Sequence, residues 1–214
     1  MVTFRRRSPV CFKSRPAQTE QREAWEVVLQ YDNEGEGPFL IDLSHRTKWD
    51  VQDTNISQIQ PGGLAIPETP GECAIQNGLV INRLNYTQAT VWHLWGDSPA
   101  IPQKLAYTDV TEAFALSALA GRGADVFPII EKVTPLDILS PDKKPPFLIQ
   151  GSVFRVPCQI VVLGEKDNAS AVLIACSRGY GQSMADELLD AGFQGGLRPG
   201  GEVAFSNLVK RLSV

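Results

Sequence analysis

Two histidines, His45 and His93, and four cysteines, Cys11, Cys73, Cys158 and Cys176, bound the nucleophilic and metal chemistry open to this chain. A serine or cysteine hydrolase needs an imidazole beside its nucleophile, and the G-x-S-x-G turn that exposes such a serine does not occur. His45 stands in the polar corner Ser44-His45-Arg46 after a buried strand end, where a hydrogen-bonded turn histidine is the commoner role than a ligand-orienting one. His93 lies between Trp92 and Trp95 in a strand pattern and reads as structural. The cysteines are scattered, with no C-x-x-C pair, so a zinc site is not expected; Cys158 and Cys176 fall inside apolar runs and read as small buried hydrophobes. Gly121-Arg122-Gly123 ahead of a helical pattern could offer free helix N–H groups to an anion, but a strand-to-helix turn calls for the same glycines. The glycines of 195–201 come without the Lys-Ser/Thr of a P-loop, so nucleotide binding is not expected there. Arg5-Arg6-Arg7, followed by Lys13 and Arg15, is the sharpest charge cluster, with two readings: electrostatic docking on an acidic partner, or a solvated arm.

The elements that must position these residues are those of an ordinary globular chain. With 214 residues, 43% of them hydrophobic, it can bury a sizeable core, and a net charge of -4 supplies no global basic field for nucleic acid or an anionic membrane. No stretch approaches the ~18 apolar residues of a membrane helix, and no apolar run follows the N-terminal arginines as a secretory signal requires, so a cytoplasmic location is expected. The N-x-S/T matches at Asn55, Asn85 and Asn168 then have no glycosylation behind them. Residues 1–22 read as a basic, flexible arm, 23–104 as an N-terminal lobe and 105–214 as a C-terminal lobe of one compact unit, with the Pro99/Pro102 region between the lobes.

Within the lobes, 24–31 is apolar enough for a strand or a short helix, 39–43 and 47–51 read as strands around the Ser-His-Arg corner, and 78–84 with 89–95 as a strand pair. The stretch 111–120 suits a helix by composition and a strand by alternation. The spacing of Val126, Phe127, Ile130 and Val133 predicts a helix over 124–133, with Pro128 in its first turn. The tract 140–146 is an extended connector, 153–156 and 158–163 are strands, and the last of these forms a hairpin with 171–176 through Asp167-Asn168. Residues 182–191 read as a helix stopped at Gly192; 195–201 is a loop before a final apolar segment containing Val203, Phe205 and Leu208.

Three motifs in order, Phe39-Leu40-Ile41-Asp42-Leu43-Ser44 with Lys48, Tyr107 to Glu112 running into Leu119 to Ala124, and Ser177-Arg178-Gly179-Tyr180 leading to Glu187 to Gly192, carry a family likeness. Over about residues 36–205 the chain resembles the aminomethyltransferase (glycine-cleavage T-protein) family, most of all the shorter gamma subunits of heterotetrameric sarcosine oxidases. The resemblance implies an α+β fold of mixed antiparallel sheets with short packing helices, and a strand before the helix across 109–120. Full T-proteins carry two aspartates that contact folate and the aminomethyl group; the similar stretch here, Asn77 to Asn82, has none. Their Gly-Tyr-Thr-Gly-Glu, whose glutamate helps bind the pterin, is matched by Gly179-Tyr180-Gly181-Gln182. Without those charges the transition-state electrostatics of folate-dependent transfer are lost. The resemblance therefore implies a gamma-type accessory subunit, not catalytic alone, in an oxidoreductase complex that oxidises a sarcosine-like amine. FAD or FMN, NAD and tetrahydrofolate would sit on flavoprotein alpha- and beta-type partner chains. A folate-binding methyl- or aminomethyl-transfer protein with a modified pocket is the alternative, with Asn82, Arg178 and Tyr180 as residual pocket residues; a free-standing scaffold or iron–sulfur maintenance factor is the third.

Overall fold

The structure is a computed structural model that describes residues 5–96, 99–140 and 142–212. The first four residues of the expected arm, Pro141 of the expected connector and the last two residues of the C-terminal lobe lie outside these described residues. The chain opens with an antiparallel pair, β1 (Pro16–Arg22) and β2 (Trp25–Tyr31), followed by β3 (Phe39–Asp42), β4 (Lys48–Gln52), β5 (Cys73–Gln76), β6 (Leu79–Asn85), β7 (Gln88–His93) and β8 (Tyr107–Asp109). Then come β9 (Phe114–Gly121), α1 (Gly123–Val133), β10 (Phe147–Val153), β11 (Val156–Lys166), β12 (Ala169–Ser177), α2 (Gly181–Gly192), β13 (Arg198–Gly200) and α3 (Glu202–Leu212). A six-stranded sheet has the order β10-β11-β12-β9-β3-β13 and a five-stranded sheet the order β5-β6-β7-β4-β8. Neighbouring strands are antiparallel except β13 and β3, which run parallel. This is the expected mixed α and β class. The sheets do not divide the chain at residue 104: β3 lies in the six-stranded sheet and β8 in the five-stranded one, so each sheet draws on both expected lobes.

The six-stranded sheet is covered on both faces, which explains its apolar runs. From β9 and β12, Ala115, Leu119, Val172, Ile174 and Cys176 face α1 and α2, through Val126, Ile130, Met184 and Leu188. Their alternates Leu116, Ala118, Leu173 and Ala175 face the five-stranded sheet and α3, through Val80, Trp92, Phe205 and Leu208. A strand buried on both faces loses the polar alternation that would mark it as a strand. That is why 111–120 reads ambiguously in sequence; its part from Phe114 onward lies in β9. The outer face of the five-stranded sheet carries a third cluster built on Trp49, Val51, Ile81 and Val91.

Several local expectations need correction. Residues 16–22, expected in a flexible arm, form β1, and the segment before it is fastened to the body with Val10 buried in the core. The expected strand 153–156 is instead a two-residue turn between β10 and β11, with Phe154 and Arg155 both at positive φ. Turns of that kind favour Asn and Gly, so neither residue type signals it. Asn77-Gly78 does carry that signal, and it turns β5 into β6 with both residues at positive φ. Helix α1 starts at Gly123, which places Pro128 beyond the first turn, where its missing N–H forgoes the bond to the Ala124 carbonyl. The final apolar segment is the helix α3.

Candidate functional site

Asn82 comes from the middle of β6, on the face turned toward the six-stranded sheet. Its β5 and β7 neighbours in register are Cys73 and Thr90. The amide is fully buried: Nδ2 donates to Thr90 Oγ1 at 3.3 Å, and Oδ1 accepts from Cys73 Sγ at 3.1 Å. Thr90 Oγ1 in turn donates to Gln159 Oε1 of β11 at 2.9 Å, so the chain of polar groups crosses from one sheet to the other. Burial pushes the Cys73 thiol up to about 12, which keeps it a neutral donor. Asn82 and Thr90 are buried and find their partners within the protein, as buried polar groups must. Asn82 thus stitches two sheets together.

Arg178 and Tyr180 lie elsewhere, at the exit of β12 where the chain turns into α2. The Arg178 guanidinium sits over the Trp25 ring, 5.8 Å from its centroid, and donates to the Arg7 carbonyl. Tyr180 is half-exposed, and its carbonyl accepts from Ser183 Oγ at 3.1 Å. Gln182, where the resemblance calls for a glutamate, accepts the Cys11 backbone N–H at 2.7 Å through Oε1 and donates to Asp186 at 3.0 Å. Arg178 and Tyr180 are therefore brought together, with the N-terminal segment laid against Arg178 and Gln182, and Asn82 belongs to a different place.

A cleft of about 910 Å³ opens between the start of β2, the corner after β3, and residues 99–101. Trp25 and Trp49 line it with Arg6, Arg22, His45 and Arg46, together with Glu20, Glu23 and Asp109. Glu202, the first residue of α3, holds Arg22, His45 and Arg46. Its Oε2 is 2.5 Å from Arg22 Nη1, its Oε1 is 3.1 Å from His45 Nε2, and Arg46 Nη2 pairs with Oε1 as well. Three remote pieces of chain meet there: the end of β1, the β3–β4 corner and the α3 N-terminus, where a carboxylate is also favoured by the helix dipole. Burial alone raises the Glu202 carboxyl, but the His45 hydrogen bond and the Arg46, His45 and Arg22 charges outweigh it and bring it down to about 2. Burial pulls Arg46 down against the Glu202 charge, whereas for Arg22 the loss of hydration is outweighed by Glu20 and Glu202 and its pKa rises.

Behind the corner, Lys48 is buried, and its Nζ donates to the Ser44 and Arg46 carbonyls at 2.8 and 2.7 Å. Burial lowers its amine to about 7, opposed by Asp42 and Asp109. The lysine so fixes the backbone that aims His45 and Arg46.

This arrangement can bind by charge, hydrogen bonding and aromatic contact. The imidazole and carboxylate that could exchange protons are engaged with each other. Among the described residues, no group of three or more His, Cys, Asp or Glu side chains is placed to hold a metal ion. His45 is the hydrogen-bonded turn histidine that its corner suggests. Arg22 and Glu202, 180 positions apart, carry no joint signal in the sequence; an acid at the start of an apolar periodic segment marks only a helix N-terminus.

No family model matches the sequence, and no curated protein matches it significantly. Among solved structures the chain is similar to one from the heterotetrameric sarcosine oxidase of Corynebacterium sp. U-96, in complex with pyrrole 2-carboxylate. The TM-score is 0.59 at 15% identity, over 72% of this chain and 83% of that one. It is also similar to the glycine cleavage system aminomethyltransferase T of Bartonella henselae, with a TM-score of 0.54 at 14% identity over 90% of this chain. The match covers 58% of that aminomethyltransferase, so the chain spans well under two thirds of its length. At such identities the likeness is one of fold. The chain has a T-protein-like, aminomethyltransferase-type fold.

Proposed function

We propose that this chain is a gamma-type accessory subunit of a multi-subunit flavoprotein that oxidises or dehydrogenates a sarcosine-like amine, and that it is not catalytic by itself. Flavin, nicotinamide nucleotide and tetrahydrofolate are assigned to flavoprotein alpha- and beta-type partner chains, in the cytoplasm. One observation carries the reading: at Asn82, where the family likeness calls for a folate carboxylate, a neutral amide is sealed between two sheets with its hydrogen bonds satisfied internally. The likeness to a chain of a heterotetrameric oxidase, most of whose length is matched, supports it. Purification from native extract with the flavin absorbance followed through each step tests it. The expected result is a stoichiometric complex with a flavin-bearing chain; a stable monomer with no flavoprotein attached overturns it.

The cleft beside Trp25 and Trp49 favours a second reading, a folate-binding transfer protein with a modified pocket. Its aromatic walls suit a flat ring and its arginines an anionic tail. Calorimetric titration with tetrahydrofolate decides this, and an absence of heat at near-millimolar folate ends it.

A further inference from the structure

The N-terminal segment concentrates charge of one sign. Residues 1–15 carry five Lys or Arg and no acid, in a chain of net charge -4, so the rest of the chain carries a formal -9. The segment is held to that body by neutral and backbone groups. Val10 is buried, Ser8 Oγ donates to Asp42 Oδ2 at 2.5 Å, Cys11 N–H donates to Gln182 at 2.7 Å, and Arg6 N–H donates to the Ala24 carbonyl at 2.8 Å. The Arg7 carbonyl accepts from Arg178, and the Phe12 and Tyr31 rings meet edge to face at 5.9 Å.

These fastenings leave three of the five charges exposed and without an ion pair among the described residues. Arg6 pairs with Glu112 at 2.6 Å, and Arg15 lies 3.7 Å from Asp32. Arg5, Arg7 and Lys13 are exposed, and none has an ion pair among the described residues. A tethered segment has already lost the conformational entropy that a disordered basic arm gives up on binding. From Arg5 to Lys13 the backbone reaches at most roughly 28 Å. Long polyanions would meet the acidic body beyond the strip; a protein surface with a short acidic stretch would not.

We propose that Arg5, Arg7 and Lys13 form a pre-ordered cationic strip that docks on an acidic face of a partner protein. The identity of that partner as another subunit rests on the assembly reading above; the strip itself does not. The test titrates the full chain with a labelled 12-residue peptide of alternating Glu and Ser, read by fluorescence anisotropy at low and physiological salt. Two variants are compared, Arg5→Ser/Arg7→Ser/Lys13→Ser and a control Lys104→Ser/Lys132→Ser/Lys210→Ser with the same change in net charge. The strip variant is expected to bind about tenfold or more weakly than the parent, from three lost ion pairs, and the control within about twofold. Equal loss in both variants, or no binding of the peptide by the parent at millimolar concentration, overturns the strip. So does tighter binding of a 12-nucleotide oligothymidine or of phosphatidylserine vesicles, or a salt-sensitive dimer that the strip variant abolishes. Each of these outcomes leaves the assembly reading untouched, and failure to co-purify with a flavoprotein leaves the strip untouched.

Discussion

Replacing Glu202 by Gln removes one charge and almost no volume from the ion cluster that joins β1, the β3–β4 corner and α3. Glu202 and Arg46 are both deeply buried, with side chains 3% and 8% exposed, so the arginine is left in low dielectric without its counter-ion. Removing one partner of a buried pair costs about 3–5 kcal/mol. The carboxyl offers a second route to the number, since its fall from 4.5 to about 2 corresponds to roughly 3 kcal/mol. The two agree, and for a chain of this size roughly 3 kcal/mol is a drop in melting temperature of about 6–12 °C. Because the folded-state pKa is depressed, this stabilisation is present above the unfolded value and disappears as pH falls from about 4.5 toward 2. Urea unfolding followed by tryptophan fluorescence, at neutral pH and in steps down to the acid limit of folding, measures both effects. The parent should lose stability through that window more steeply than Glu202→Gln. Arg22→Gln should cost only about 1 kcal/mol, because Arg22 is 34% exposed. A Glu202→Gln protein within about 1 kcal/mol of the parent at neutral pH, with an unchanged acid limb, would refute the reasoning.

Other outcomes follow from the same geometry. Asn82→Asp, which puts an acid where the resemblance calls for one, should lower stability by roughly 2–4 kcal/mol in thermal unfolding and give no folate heat in calorimetry, because Asn82 is fully buried. Lys48 has its folded-state pKa lowered to about 7, so the unfolded chain binds the extra proton between there and the usual lysine value; the parent should gain stability as pH rises from 7 to about 10, and Lys48→Met should gain less. Val10→Asp should cost about 2–3 kcal/mol and expose residues 5–15 to proteolysis, measured by urea midpoint and limited trypsin digestion, whereas a flexible arm would be cleaved equally in both proteins.

The strands and helices with strong local marks were legible from the residues. Asp167-Asn168 announced the β11–β12 hairpin, Gly192 the end of α2, and the flanking proline and glycine loops the pair β6 and β7. Where local marks were weak or misleading, tertiary contacts settled the outcome. Phe154 and Arg155 make a turn against their own preferences because β10 pairs along its whole length with Val156 to Val162 of β11. Residues 5–22 look like a solvated arm by charge, yet Val10, Phe12 and Trp25 bring enough apolar surface to anchor them.

For the site the division is the same. Residue types show a neutral amide at Asn82 and at Gln182, where the family resemblance calls for carboxylates, and the order of motifs pointed to the fold that the solved structures share. Only the tertiary structure separated Asn82 from Arg178 and Tyr180, closed Asn82 between two sheets, and brought Arg22, His45, Arg46 and Glu202 to one cleft. A sequence records which side chains can ionise or hydrogen-bond, since that is a property of each residue. Which of them lose water and which partner replaces it depends on elements that meet only in the folded chain, as Arg22 and Glu202 do.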